Sequence, residues 1–208
     1  MTEEPAQAGE FGGPQGLYHE ASPAENNKLG IWLWLASDCA LFASLIATYL
    51  SVHGATLGGP TPKQLFDLRV TVTATFVLLC SSMTMGIGLE AAQRCDYRGT
   101  MRWLIPTALL GLVFVGMQVV EFTTYVHAGL TLARSDFGAS FFTLVGFHGL
   151  HVSFGVAWIT SLLIYIFRKR RVDPGDAWRF EAVSLYWYFV DVVWVVIFTV
   201  VYLLGKVG

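Results

Sequence analysis

The sequence predicts an all-α integral membrane protein, a bundle of five transmembrane helices, and three observations support this fold class. The chain has 208 residues, of which 54% are hydrophobic. Only 13% are charged, whereas a soluble domain typically carries about 25%. The mean hydropathy is +0.55. A water-soluble protein of this size could not bury so much apolar surface, so lipid is expected to cover part of it.

Charge and cysteine content exclude two further classes. The net charge is −2, from 13 basic and 15 acidic residues, so no strongly basic face is available to neutralise the phosphates of a nucleic acid. Cys39, Cys80 and Cys95 show no C-x-x-C spacing. We therefore expect neither a disulfide framework nor a cysteine-based metal site.

The chain divides into a polar N-terminal tail and a membrane domain. Residues 1–28 are rich in Gly, Pro, Ala and Glu. Such a segment buries too little apolar area to offset the entropy of ordering, so we expect a disordered tail. The tail is not a cleavable signal peptide, because the first apolar run begins only at Leu29 and is long enough to span a membrane. Residues 29–208 form the predicted membrane domain.

Five apolar stretches account for the predicted helices. Each has roughly the 20 residues that a helix needs to cross about 30 Å of hydrocarbon. The connecting loops are short, so consecutive helices are predicted to be antiparallel neighbours. The stretches lie near residues 29–52, 70–89, 103–128, 138–167 and 179–204.

Basic residues predict the orientation of these helices. The side that contains the N-terminal tail carries nine of them, namely Lys28, Arg94, Arg98, Arg102, Arg168, Lys169, Arg170, Arg171 and Arg179. The opposite side carries four, namely Lys63, Arg69, Arg134 and Lys206. Because cytoplasmic loops carry the excess of Lys and Arg, the N-terminus is predicted to be cytoplasmic and the C-terminus to lie outside.

Polar residues within the apolar stretches are the candidate functional residues, because a charge in hydrocarbon is costly. Three groups have helical spacing, so the members of each share a helix face. The groups are Gln118 with Glu121, His148 with His151, and Tyr188 with Asp191 and Trp194. Asp38 stands alone in the first stretch, and Glu181 begins the last one.

Depth in the membrane suggests partners for four of these residues. At 1.5 Å per residue, Glu121 lies close to the level of His148, and His151 lies level with Asp191. We predict these two pairs. Hydrogen bonding that fixes helix packing, a proton relay or ion path, and a metal site are the open interpretations.

A redox centre in this chain is not expected. Two histidines on one face of one helix are poor haem ligands, because bis-histidine ligation needs rings from opposing directions. A dinuclear carboxylate site would need more acids at matching depth.

Asp38 and Glu181 occupy different surroundings. Asp38 lies near the middle of the bilayer and about 160° around its helix from Ala36 and Ala40, at 100° per residue. It could face a cleft, a lipid headgroup or another subunit, with structural pairing or a lipid-related or proton-related role. Glu181 lies at the cytoplasmic end of the last stretch, where a surface ion pair with Arg179 is predicted.

Four stretches of the sequence carry a family resemblance. They are LGIWLWLASDCALF (29–42), GMQVVEF (116–122), FFTLVGFHGLHVSFG (141–155) and EAVSLYWYFVDVVWVVIF (181–198). Together and in this order they resemble subunit III of the haem–copper terminal oxidases, over about residues 28–208.

The resemblance implies a five-helix bundle that is V-shaped, with phospholipids in its cleft, in a bacterial cytoplasmic membrane. It implies packing against subunit I, which holds the haems and copper and pumps protons, in a complex with subunit II. This chain would hold no cofactor and would be an accessory subunit of an enzyme that reduces oxygen to water. It would support subunit I, bind lipid and sustain proton uptake.

The resemblance also assigns site residues. The family carboxylate beside the lipid cleft falls on Asp38, where many relatives have Glu. The polar bundle residues fall on Gln118, Glu121, His148, His151, Glu181 and Asp191. Tyr188 stands where the family usually has histidine, which favours a packing or hydrogen-bonding role there.

Alternatives to this interpretation remain. The electron donor could be cytochrome c, which we favour, or a quinol. A stand-alone small membrane transporter is the alternative from another class, although the chain shows no inverted repeat and no interrupted pair of helices. A di-haem membrane protein is disfavoured by the histidine placement. Purification distinguishes these alternatives, because an oxidase subunit should co-purify with a haem-bearing partner.

Overall fold

The computed structural model describes residues 23–52, 68–127 and 136–203, with side chains from residue 27 onward. These ranges contain five long helices and no strand. The helices are α1 (Pro23–Ser51), α2 (Leu68–Gln93), α3 (Tyr97–His127), α4 (Asp136–Lys169) and α5 (Ala177–Ile197). A 3₁₀ turn at Pro174–Asp176 precedes α5, and a π-helical turn at Phe198–Leu203 continues it.

Each of the five helices is long and apolar enough to cross a membrane. The all-α membrane bundle predicted from composition is therefore confirmed within the described ranges. One boundary differs, because α1 begins at Pro23 and residues 23–28 of the predicted disordered tail are helical. Proline suits the first turn of a helix, since its missing N–H has no partner there. Residues 1–22 lie outside the described residues.

Four of the helices form a ring, and the fifth packs on its outside. The ring contacts join α2 to α3, α3 to α4, α4 to α5 and α5 back to α2. Helix α1 packs mainly on α4 and α5. The turn between α2 and α3 is tight because Cys95 adopts a left-handed conformation, with φ of 57°, which is a common way to end a helix. The V-shaped cleft stays a prediction.

Two tryptophans of α5 fill the centre of the ring. Trp187 and Trp194 are fully buried, and each indole N–H donates to a hydroxyl oxygen on α2. The distance is 3.0 Å from Trp187 to Ser81 and 2.9 Å from Trp194 to Thr75. A buried indole N–H needs such an acceptor, so these bonds fix both the depth and the rotation of α5 against α2.

Two glycines let the neighbouring helices approach Trp187. A Cβ added to Gly111 of α3 would lie 2.7 Å from the ring, and one added to Gly155 of α4 would lie 2.9 Å from it. Both distances are shorter than ordinary contacts between carbon atoms, which are about 3.5–4.0 Å. The ring of helices thus closes around Trp187 only because these two positions lack side chains.

Candidate functional site

Asp38 and His151 form a buried contact between α1 and α4. The Asp38 side chain is turned inward and the residue is only 7% exposed. Its Oδ2 lies 3.8 Å from Nε2 of His151. Nδ1 of His151 lies 2.7 Å from the carbonyl oxygen of Phe147. Because a carbonyl only accepts, Nδ1 carries a proton and donates it there, which leaves Nε2 facing the carboxylate.

Aromatic side chains from α1 and α5 enclose this contact. The Tyr186 hydroxyl donates to the backbone carbonyl of His151 at 3.0 Å. The Trp34 ring stacks on Tyr186 with 5.3 Å between centroids, and the Phe42 ring meets the imidazole edge-on at 5.0 Å. The pair therefore has fixed geometry and little access to solvent.

The structure places Asp38 away from Ala36 and Ala40, which are both exposed, as the helical spacing predicts. Its neighbour is α4 of its own chain, which fits the structural pairing that was one of the alternatives for Asp38. The predicted pair of His151 with Asp191 is not formed. Residue counting along single helices could not show that α1 lies against the face of α4 that carries His151.

Glu121 and His148 also fail to form their predicted pair. The Glu121 carboxylate, on a residue that is 8% exposed, accepts hydrogen bonds from the hydroxyls of Thr71, at 2.7 Å, and Tyr125. The His148 ring stacks on Trp194 with 4.9 Å between centroids. Its two nitrogens have no hydrogen-bond partner among the described residues. Hydroxyl groups, rather than the predicted histidine, therefore donate to the Glu121 carboxylate.

Gln118 joins α3 to α4. Its Nε2 donates to the backbone carbonyl of Val145 at 2.8 Å. The side chain lies against Gly149, where an added Cβ would come within 3.1 Å of the amide oxygen. Gln118 therefore acts as a packing residue in this structure, in keeping with the interpretation that polar bundle residues fix helix packing.

Asp191 and Tyr188 lie on the face of α5 that meets α2. Asp191 is 6% exposed, and neither carboxylate oxygen has a hydrogen-bond partner among the described residues. The Tyr188 hydroxyl lies 3.0 Å from the position of a Cβ on Gly86 of α2. Tyr186, two residues earlier, faces the His151 side instead, because residues two apart on a helix point in nearly opposite directions.

The predicted ion pair between Arg179 and Glu181 is wrong. The two residues are two positions apart on α5 and therefore point in nearly opposite directions. Glu181 instead pairs with Lys28 of α1 at 3.2 Å and contacts Gln93 of α2 at 3.5 Å. Arg179 approaches Asp176 at 4.0 Å. The start of α1, the end of α2 and the start of α5 thus meet at one end of the bundle, as alternating helix directions require.

Lys169, which from the sequence served only to predict membrane orientation, stabilises the turn between α4 and α5. Its ammonium lies 2.7 Å from Asp173 and 2.6 Å from Asp176. The Tyr165 hydroxyl donates to Asp176 at 3.0 Å. The sequence contained a signal for these ion pairs, since Lys169 is followed by two aspartates in the short connection to α5.

No cluster of three or more His, Cys, Asp or Glu side chains within the described ranges could hold a metal ion. The polar groups inside the bundle instead form separate small sets, each between two or three helices. Their geometry suits helix packing and proton binding at the Asp38–His151 contact.

Comparison with known proteins gives concordant matches. A family model described as cytochrome c oxidase subunit III matches residues 11–206. Cytochrome c oxidase subunit 3 of Bacillus sp. (strain PS3) is 46% identical over 184 residues, covering 88% of each chain. Quinol oxidase subunit 3 of Bacillus subtilis (strain 168) is 41% identical over 192 residues, covering 92% of this chain and 94% of the relative. Cytochrome c oxidase subunit 3 of the same strain is 43% identical over 185 residues, covering 88% of this chain and 89% of the relative.

Proposed function

The chain belongs to the cytochrome c oxidase subunit III family and is subunit III of a terminal oxidase, and we propose that in this complex it packs directly on subunit I and sustains proton uptake there. The haems and copper belong to the partner subunits in this proposal, which include subunit II. Reduction of oxygen to water and proton pumping then occur in those partners. This chain contributes a scaffold and a proton-binding contact.

The Asp38–His151 contact carries the proposal. In the tautomer that Phe147 selects, Nε2 of His151 is an acceptor, as is an ionised carboxylate. The two atoms at 3.8 Å therefore attract each other only when the pair holds one further proton. A buried acid and base that face each other within a membrane are typical of ion pathways and proton relays.

The proposed membrane is the bacterial cytoplasmic membrane, with the N-terminus in the cytoplasm. The excess of basic residues on that side supports the orientation. Relatives named for cytochrome c and for quinol match at similar identity. We favour cytochrome c as the donor, and a dicopper Cys/His pattern in the subunit II that co-purifies would support it.

A groove between α1 and α5 supports the proposed binding of phospholipid. Its volume is about 230 Å³. The Lys28 ammonium at the cytoplasmic end of the groove pairs with Glu181 and has further N–H donors for a phosphate. The apolar wall of the groove can hold an acyl chain. The lining residues are Lys28, Ile31, Trp32, Trp178, Glu181, Ala182 and Leu185.

Asp38→Asn in the complete oxidase tests the proton-related role. The variant keeps the size of the side chain and removes its ability to hold the shared proton as an acid. We expect normal assembly and haem content, with faster inactivation during turnover or slower proton uptake. Asp136→Asn, at an exposed aspartate of α4, is the control and should behave as the parent. If Asp38→Asn sustains turnover as long as the parent, Asp38 has no such role.

A further inference from the structure

The groove between α1 and α5 carries two opposite charges at one end. Nζ of Lys28 lies 3.2 Å from Oε2 of Glu181, and both residues line the groove. The two side chains are 59% and 39% exposed, so a ligand outside the bundle can reach both of them. An exposed ion pair contributes little to stability, and its charges therefore remain available to other groups.

The charged end of the groove lies at the level of lipid headgroups. The 23 residue steps of α1 from Lys28 to Ser51 rise about 35 Å at 1.5 Å per residue. This length slightly exceeds the roughly 30 Å of hydrocarbon in a bilayer. Trp32 and Trp178 line the same groove, and tryptophan is enriched at the interface between membrane and water.

Each of the two charged groups keeps hydrogen-bonding capacity beyond the ion pair. An ammonium has three N–H donors, and a carboxylate has about four acceptor sites. The other oxygen of Glu181, Oε1, lies 3.5 Å from Nε2 of Gln93, which is longer than a typical hydrogen bond. Lys28 can therefore donate to an anion while Glu181 accepts from a cation.

We propose that this groove binds a zwitterionic aminophospholipid, with its phosphate on Lys28 and its primary ammonium on Glu181. The inference rests on the proposed binding of phospholipid and adds the class of headgroup. One acyl chain packs on Ile31 and Leu185, which lie about one turn further along α1 and α5 and line the same groove. Asp38 is not part of this site, because its carboxylate faces His151 of α4.

The opposite charges of the groove discriminate among headgroups. An anionic headgroup without an amine brings a second negative charge beside Glu181, and this repulsion disfavours it. A quaternary ammonium has no N–H to donate to the carboxylate. A primary ammonium supplies both the charge and the donors of a charge-assisted hydrogen bond. We therefore expect phosphatidylethanolamine to bind in preference to phosphatidylglycerol and phosphatidylcholine.

Lipid exchange in the complete oxidase tests this preference. Delipidated oxidase is incubated with equal amounts of phosphatidylethanolamine, phosphatidylglycerol and phosphatidylcholine that carry the same acyl chains. Native mass spectrometry then identifies the lipids that stay on this subunit when it is released from the complex. We expect phosphatidylethanolamine to be retained roughly tenfold more than either of the others, as one hydrogen bond to a charged group allows.

Two variants break the same ion pair and have different expected results. Glu181→Gln should lower the ratio of phosphatidylethanolamine to phosphatidylglycerol roughly tenfold, with phosphatidylglycerol retained at least as well as in the parent. Lys28→Gln should lower the retention of both lipids, because it removes the phosphate donor. A structural effect of losing the pair would be the same in both variants. Glu90→Gln is the control and should match the parent, because Glu90 pairs with Arg94 of α2 and does not line the groove.

The possible outcomes separate this inference from the proposed function. If the parent and Glu181→Gln retain the lipids in the same ratio, the assignment of the ammonium to Glu181 is wrong, although phospholipid binding stands. Retention of phosphatidylcholine equal to that of phosphatidylethanolamine would overturn the assignment in the same way. If this subunit retains no phospholipid at all, the proposed lipid binding is wrong and the inference fails with it.

Discussion

Gly155→Ala tests the packing around Trp187, on which the ring of helices depends. The added Cβ would lie 2.9 Å from two ring atoms, so one partner must move by about 0.5–1 Å to reach ordinary contact. The ring cannot retreat freely, because Gly111 confines it from α3 at 2.7 Å. Overpacking of this kind costs about 1–3 kcal/mol, from which the better helix propensity of alanine subtracts up to about 1 kcal/mol.

The gain in helix propensity is common to Gly155 and Gly116, so we expect Gly155→Ala to have a free energy of unfolding about 1–3 kcal/mol lower than that of Gly116→Ala. The assay is titration of the detergent-solubilised chain with SDS, followed by circular dichroism and tryptophan fluorescence. Gly116→Ala is the control, because nothing lies within 4 Å of its added Cβ, and it should match or exceed the parent stability. Equal unfolding midpoints for the two variants would refute the account of Trp187.

Three further predictions concern individual polar groups. His148→Phe should be as stable as the parent in the same titration, because the imidazole nitrogens make no hydrogen bond to any described residue and the ring packs among aromatic rings; a large loss would reveal an unrecognised partner. Tyr125→Phe should cost about 1 kcal/mol by removing one donor to Glu121, and no change in midpoint would show that this bond is not stabilising. Lys169→Met should loosen the turn between α4 and α5, measured as faster proteolysis there, whereas an unchanged cleavage rate would contradict a stabilising role for these ion pairs.

Much of the fold could be predicted from the sequence, because a helix that crosses a membrane must be apolar along its length and is therefore visible in the hydropathy. Five apolar stretches gave five helices, and consecutive helices from α2 onward are neighbours as predicted. The prediction is wrong for α1, which packs on α4 and α5 instead of on α2. The start of α1 was missed because residues 23–28 are polar, and polarity alone does not prevent a helix. Which helices touch could not be predicted, since hydropathy carries no information on neighbours across the bundle.

The candidate site shows the same limit more sharply. Asp38 was identified by its cost in hydrocarbon, yet its partner His151 depends on α1 lying against α4. Glu121 was predicted to pair with His148 because the two lie at similar depth. The hydroxyls of Thr71 and Tyr125 satisfy it instead. Serine and threonine cost little in lipid, so they give a weak sequence signal while supplying many of the internal hydrogen bonds.

Spacing along one helix was the more reliable guide when it was applied strictly. Residues three or four apart share a face, which correctly grouped Tyr188 with Asp191. The same rule argued against Arg179 with Glu181, which are two apart, and the structure separates them. Spacing could exclude Arg179 but could not identify Lys28, because Lys28 lies on another helix.

The central claim is that this chain is a scaffold for redox chemistry housed in its partner subunits. Metal analysis and visible spectroscopy of a complex purified through a tag on this chain test it most directly. We predict that haem and copper accompany the intact complex and that neither metal remains with this subunit once it is separated. Iron or copper bound stoichiometrically to the separated subunit would contradict the account.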